Sequence, residues 1–480
     1  MERLRKIGML KAKNAADLED SRFGLGMEKL DRDAFNPDKA YDKVAALGVK
    51  WIRIQSGWQK TEKEKGVYDF SWLDEQVDNL LSRKLKPWLC LCYGNKLYDD
   101  FATQYYGAVG CAPIRTQEAY EAWLAYCKAT VLHFKGRIEY YEIWNEPDGV
   151  WCWKPAVNVS EYADFAIKTG RVIKENDSNA KVITGSHCDR SLTALYAEME
   201  AGMAEVTDAI TYHEYTYDER YIPHRVQAMR VLCDGYKKGI EIIQGESGSQ
   251  SKSGGAGALY WIATNEKMQA KQLARHTMAD ILAGVKFTST FSCVDIAENL
   301  QATEGTVIDT YGWFGVLSAD FDKNTGMAIG EYKEKKSYYC LQNLCSVFDE
   351  NVKVCSLPLL IKPKNSPRID AMDCNDATLM FGGLQKKNGA KAFVYWNSTN
   401  MLTTKEWEST VSFQTAGITG KIHLIDVMDG CVYTLPDSML KQENGMCYFT
   451  NVPIKDYPLI ITFGDFYTEK INRSKKDDNF

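Results

Sequence analysis

The chain has 480 residues, of which 45% are hydrophobic and 25% charged, and its formal net charge is −6. These proportions are those of a globular protein with length for two or three domains, and they exclude the basic field that would draw a nucleic acid. No run approaches the roughly 20 apolar residues of a membrane helix, so no membrane partner is expected.

The opening stretch Met1–Ala16 is charged and lacks an apolar segment, from which we expect a cytoplasmic protein. The 14 cysteines form no zinc-type CxxC pair and are expected to be reduced thiols in the core. From about residue 20, short β-rich apolar runs alternate with longer amphipathic stretches. Strands are predicted over Arg22–Met27, Lys50–Ser56, Lys86–Tyr93, Ile138–Trp144, Lys181–Ser186, Ala209–Tyr215, Glu241–Glu246 and Lys286–Cys293. Between them lie predicted helices such as Pro37–Leu47, Trp72–Leu85, Thr116–Phe134, Val159–Glu175 and Glu266–Ala283, with a last one over Glu331–Val347. This alternation predicts βα units and an α/β fold with a parallel sheet. Eight units predict a (β/α)8 TIM barrel over residues 1–348, preceded by a short N-terminal extension. A doubly wound open sheet is the alternative, but no GxGxxG or GxxxxGK[ST] follows a strand. Beyond Val347 the runs shorten and Gly, Asn, Asp and Pro turns separate them, from Leu357–Ile361 to Leu459–Phe463. That texture predicts an all-β sandwich over 349–470. The polar segment 471–480 is expected to be a flexible tail.

Reactive groups of such a barrel belong at the C-terminal ends of its strands. An aromatic strand ends in Trp144-Asn145-Glu146-Pro147; the proline stops the strand and leaves Glu146 at the mouth. A second apolar strand ends in Gln244-Gly-Glu246-Ser-Gly248, where glycines let a ligand approach the backbone. As an isolated residue either glutamate could be a cap or an ion-pair partner. Two carboxylates on strands four and seven are what glycosidic cleavage needs, one as proton donor and one as nucleophile or base. Arg53 on strand two could hold Glu246 ionised. His213 and Tyr215 alternate onto one face of strand six and could bond the nucleophile or a sugar, whereas Glu214 is expected on the other face. Asn145 is placed to bond a sugar hydroxyl. Trp58, Trp151, Trp153 and Trp313 fall in βα loops as candidate stacking platforms, with loop packing as the competing reading. Asn95, together with Tyr93, Asp148, His187 and Asp295, is a candidate pocket residue near a strand end. The Gly-rich segment Gly248–Leu259 reads as a substrate loop or a plain connection. No HExxH or His/carboxylate triad points to a metal, and no cofactor is expected.

Residue by residue this pattern resembles clan A glycoside hydrolases, in which an Asn-Glu pair ends strand four, a Glu ends strand seven, an Arg lies on strand two and a His-x-Tyr ends strand six. Here these are Asn145-Glu146, Glu246, Arg53 and His213-Glu214-Tyr215. A barrel followed by a sandwich is most similar to glycoside hydrolase family 39, the β-xylosidase and α-L-iduronidase group. Leu47-Gly-Val-Lys-Trp-Ile-Arg53 and Gly66-Val-Tyr-Asp-Phe-Ser-Trp-Leu-Asp74 are similar to that group as well, whereas Gln244-Gly-Glu-Ser departs from its common Thr-Glu context. The resemblance implies a retaining glycosidase working by double displacement, with Glu246 as nucleophile, Glu146 as general acid/base and Asn145 on the sugar 2-OH. The expected substrate is a short oligosaccharide or glycoside, attacked from its end by a β-xylosidase-like enzyme. A non-catalytic carbohydrate-binding protein on the same barrel is the alternative, and a metal- or Schiff-base-dependent lyase is a weaker one, because Lys50 and Lys286 sit near strand starts. The sequence leaves the sugar and the oligomeric state open.

Overall fold

A computed structural model describes residues 4–298, 310–363, 378–398, 408–418 and 420–468. The tail expected over 471–480 lies outside them. Eight parallel strands close into a barrel: Phe23–Gly26, Trp51–Gln55, Lys86–Leu91, Tyr140–Ile143, Lys181–His187, Ala209–His213, Glu241–Ser247 and Thr288–Thr290. Each observed strand lies within or close to its predicted range, and the TIM barrel expected from the alternation is the fold.

The two ends of the barrel differ in chemistry. Trp51, Trp88, Tyr140, Ile183, Ala209, Ile243 and Phe287 form a separate buried cluster near the strand starts, with the Trp51 and Phe287 rings stacked 4.8 Å apart. This plug leaves the strand ends to carry the polar groups. Tyr140 and Glu142 share a face of strand four, so the chain passes from plug to charged layer within one pleat.

The helices follow from capped amphipathic runs. Thr116 caps Gln117–Phe134 by accepting from the Ala119 amide, and the helix buries Ala119, Trp123, Tyr126, Cys127, Val131 and Phe134 at helical spacing. Glu266–Ala283 starts at the Asn265 cap and stops at Gly284, whose φ of 83° is the left-handed value a helix end favours. The last helix covers Lys336–Val347 only. Residues 331–334, expected in it, belong instead to strand Ala328–Glu334, which pairs antiparallel with Leu317–Phe321. Their charged, helix-compatible composition yields to this hairpin, which buries Ala328 and Tyr332.

Two antiparallel sheets follow the barrel, one of seven strands and one of four. The first strand of the chain, Arg5–Met9, joins the larger sheet by pairing with Cys431–Thr434. The expected N-terminal extension of the barrel is therefore an edge of that sheet. Strand Lys391–Ser398 sits inside it with both faces buried. Ala392, Val394 and Trp396 face the barrel core, while Phe393 and Tyr395 face the smaller sheet, where the Phe393 ring lies 4.7 Å from that of Phe413. Period-two alternation thus glues three layers with one strand. Charged groups lock the barrel side: Lys271 meets Asp456 at 2.6 Å, and Arg275 and the Trp396 indole both bond Glu219. All of these are buried, and removing one partner of such a pair costs about 3–5 kcal/mol. Among the described residues no helix is long and apolar enough to cross a membrane, and the described cysteines are free.

Candidate active site

The site is organised around Arg53. Strand two carries it into the mouth, where its guanidinium is fully buried. Nε and Nη2 donate to the two oxygens of Glu142 at 2.8 Å each. Nη1 donates to Glu246 at 2.8 Å and to Glu28 at 3.3 Å, and Nη2 also reaches Asn145 Oδ1 at 2.7 Å. A fork with five N–H groups is the one side chain that can serve so many acceptors.

Glu146 and Glu246 face each other above this hub. A carboxylate oxygen of each, with a nitrogen of His213, lies within 4.8 Å of the others. His213 Nδ1 is 2.9 Å from Glu146 and 3.6 Å from Glu246. Glu246 accepts from the Tyr215 hydroxyl through its second oxygen, and Glu146 from the Trp151 indole. The backbone of the strand-four turn is strained, with φ of 70° at Trp144 and 45° at Glu146. Non-glycine residues enter that region at a cost of order 1 kcal/mol or more, tolerated where a side chain must be aimed. This trio is also the one cluster, among the described residues, whose donor atoms could hold a metal ion. However, Arg53 and Tyr215 already occupy both Glu246 oxygens, and a guanidinium at contact distance repels a second cation.

Charge and burial set the protonation of these groups. Burial drives the Glu28 carboxyl up to about 7; Arg53 opposes this and Glu246 reinforces it. Burial also pushes Glu142 up, but the Arg53 ion pair outweighs it and holds that carboxyl below its ordinary range. Glu246 is raised, first by burial, with His213 pulling down and Glu146 pushing up. Arg53 thus lowers Glu246 as expected from the sequence without bringing it back to its usual value. Burial works against a charged His213, yet Glu246 and Glu146 hold the imidazolium above its ordinary pKa.

A cavity of about 590 Å³ opens above the pair. Glu146, Glu246, Asn145, Tyr215 and Trp151 line it, as does Tyr93; Arg53 and His213 support it from beneath. Other expected contacts fall elsewhere. Trp58 is fully buried, stacked between Tyr98 and Tyr126, and bonds Glu62. Trp153 is buried against Trp144, Tyr162 and Phe165. Each is large enough to fold under its own loop, so the packing reading wins. Trp313 lies outside the cavity with Lys252 Nζ 3.3 Å from its ring centre. Asn95 is turned into its loop, donating to the Glu62 carbonyl and capping the Leu97 amide. Asp148 staples the amides of Cys188 and Asp189, His187 pairs with Glu198, and Asp295 pairs with Lys335. Conversely, Glu214 lines the cavity, held by Arg190 and Arg225. The ladder between strands six and seven shifts register between Tyr212 and His213, so alternation no longer governs the next residue. Glu28 and Glu142 were also missed. The signal for Glu142 was its two-residue offset from Tyr140; for Glu28 it was a carboxylate just past the Gly24-Leu-Gly26 strand end.

The barrel and this arrangement have counterparts among known proteins. Solved structures with the same fold include a family 39 glycoside hydrolase from Bacteroides cellulosilyticus WH2, with TM-score 0.64, 16% identity, and coverage of 93% of this chain and 81% of that one. A monomeric β-xylosidase from Caulobacter crescentus CB15 aligns with TM-score 0.56 and 15% identity over 95% of this chain and 97% of its own. A family 30 endoxylanase from Clostridium papyrosolvens C71 gives TM-score 0.57 and 13% identity over 95% of this chain and 97% of its own. What these structures share with this chain is the fold, a closed eight-stranded barrel with further antiparallel sheets. The model of glycosyl hydrolases family 39 matches residues 37–237, a stretch that contains Arg53, Asn145, Glu146, His213 and Tyr215 and stops just short of Glu246. A β-xylosidase from Geobacillus stearothermophilus is 29% identical over 126 residues, which is 25% of this chain and 24% of that protein. The chain is thus similar to family 39 over this stretch, and it spans about a quarter of the curated relative it matches.

Proposed function

We propose that the protein is a glycoside hydrolase that cleaves O-glycosidic bonds of short oligosaccharides or glycosides with retention, with Glu246 as nucleophile and Glu146 as general acid/base. The observation that carries this is that an oxygen of Glu146 and an oxygen of Glu246 lie within 4.8 Å of each other. Retaining enzymes hold theirs about 5–5.5 Å apart, whereas inverting ones need about 6.5–9.5 Å to admit a water. In the first step Glu246 attacks the anomeric carbon as the bond to the leaving oxygen breaks, and Glu146 gives that oxygen its proton. In the second, water attacks the same carbon, loses a proton to Glu146, and Glu246 leaves. The pair carries one negative charge before the first step, on Glu246, and one after it, on Glu146. His213 lies within 3.6 Å of both, so a single imidazolium faces the charge in each state. Asn145, fixed by Arg53, presents its amide edge to the sugar 2-OH.

The family 39 match and the xylosidase relatives support β-xylosides as the substrate class. The cavity volume is that of a small-molecule pocket, which supports attack at a chain end. Hydrolysis of aryl β- and α-glycosides by wild type, Glu146→Ala and Glu246→Ala, with azide added, tests the reading. Azide should rescue the two variants to glycosyl azides of opposite anomeric form. Near-normal rates in either variant would remove that glutamate from its role. Sugar binding without turnover of any glycoside by the wild type would favour a carbohydrate-binding protein.

A further inference from the structure

The rim of the cavity carries two side chains that the mechanism does not use. Tyr260 and Trp261 line the same space as Glu146 and Glu246. The two glutamates are 7% and 8% exposed, but Tyr260 and Trp261 are 58% and 68% exposed. The two adjacent rings form one exposed aromatic patch on the rim of the cavity, and a patch of that kind marks a binding surface more than a lone exposed ring does. The local chain explains how it is held there. Leu259 is buried, and its carbonyl accepts from the Ile262 amide at 3.1 Å, which makes Tyr260 and Trp261 the two central residues of a tight turn. The base of the loop is tied down: the Ser251 and Ala256 amides donate to the Trp313 and Tyr311 carbonyls, and Thr264 bonds the Gln250 carbonyl. The loop is therefore a held projection, and its aromatic rings stand 5.2 Å apart at 83°.

We infer that Trp261, supported by Tyr260, is the stacking platform for the sugar on the leaving-group side of the scissile bond. In a pocket that closes at its floor, the ring being cleaved lies deep beside the buried carboxylates, and the leaving unit lies toward solvent, where these aromatics stand. A pyranose has one face of axial C–H groups that packs on an indole, while its hydroxyls stay in water. Pre-ordering the turn lowers the entropy lost on binding. This inference rests on the glycosidase reading above and adds to it the recognition of a saccharide leaving group.

The test compares wild type, Trp261→Ala and Trp261→Phe on xylobiose, which has a leaving sugar, and on β-xylosyl fluoride, which has none. Trp261→Ala should lower kcat/KM on xylobiose by about tenfold, mainly through KM, and leave the fluoride within about twofold of wild type. Trp261→Phe should recover most of the loss. Equal losses on both substrates, or no loss on either, overturn the inference while the hydrolase reading stands. A wild-type enzyme that cleaves neither substrate overturns the xylosidase reading and this inference with it.

Discussion

Glu28 offers the most direct check on the electrostatics of the site. Its carboxyl is buried against Arg53 and Glu246, and burial lifts its pKa from 4.5 to about 7. The difference is about 2.5 units, and at 1.36 kcal/mol per unit it amounts to roughly 3 kcal/mol. The folded protein keeps a proton that the unfolded chain releases. Stability from this group is therefore present below about pH 4.5, falls as pH rises, and is fully lost above about pH 7. Glu28→Gln keeps the shape and cannot titrate. Relative to wild type, the variant should gain about 3 kcal/mol between about pH 5 and pH 8. Urea unfolding followed by Trp fluorescence at a series of pH values measures the difference. A gap between the two proteins that stays constant with pH would refute the reasoning, because it would mean that Glu28 titrates alike folded and unfolded.

Three further outcomes follow from the same geometry. Glu146→Gln should slow hydrolysis of glycosides with poor leaving groups by about 10²–10⁴-fold. An activated dinitrophenyl glycoside, which needs no proton on departure, should keep its first step and show a burst; slowing of both alike would count against the acid role. Trp58→Ala removes a fully buried indole and should cost about 3–5 kcal/mol in a denaturant titration, while the KM of the folded enzyme stays put, as expected of a core residue and not of a sugar platform. Arg53→Met strips the counter-charge from Glu142 and Glu246. It should cost about 3–5 kcal/mol and move the acidic limb of the kcat/KM profile to higher pH, since Glu246 loses a group that now pulls its pKa down.

Much of this was legible because barrel strands announce themselves by composition. The strand-ending glutamates were visible because Pro147 follows one and Gly245 precedes the other, chain-stopping and chain-opening residues that have local meaning. Glu142 was hidden for the opposite reason. A charge in the middle of an apolar strand is sensible only with a partner, and its partner Arg53 is 89 residues away; the Arg53–Glu246 contact spans 193. Such pairs become legible once the barrel has closed. The tryptophans show another limit. Trp58, Trp151 and Trp153 all follow strand ends, and whether a loop Trp turns inward or toward the mouth depends on what lies beneath the loop. Trp58 found Tyr98 and Tyr126 there, Trp153 found Phe165, and Trp151 found Glu146. Trp261 lies two residues past Gly248–Leu259, a segment that reads equally as a substrate loop or a plain connection; the backbone bonds at the base of the loop distinguish a presented ring from a loose one.

The protonation pattern can be argued from charge balance. Four carboxyls, Glu28, Glu142, Glu146 and Glu246, meet two cations, Arg53 and His213, in one buried cluster. An uncompensated charge in such a setting is costly, so the cluster favours keeping two protons among the four acids. Arg53 takes Glu142 out of the competition by holding both its oxygens. Glu28, whose buried Oε2 has no partner, takes one proton up to about pH 7. The charge balance leaves the other to the Glu146–Glu246 pair; burial raises the Glu246 carboxyl, His213 opposes this, and the charge of Glu146 adds to it. The proposed double displacement would start from that state, since it needs one proton on the pair, neither two nor none. When Glu246 becomes an ester and Glu146 has given up its proton, one acid and one proton have left the count together, and the balance against Arg53 and His213 is unchanged. The support beneath the pair therefore needs no rearrangement between the two steps, which is the property a fixed barrel mouth can supply.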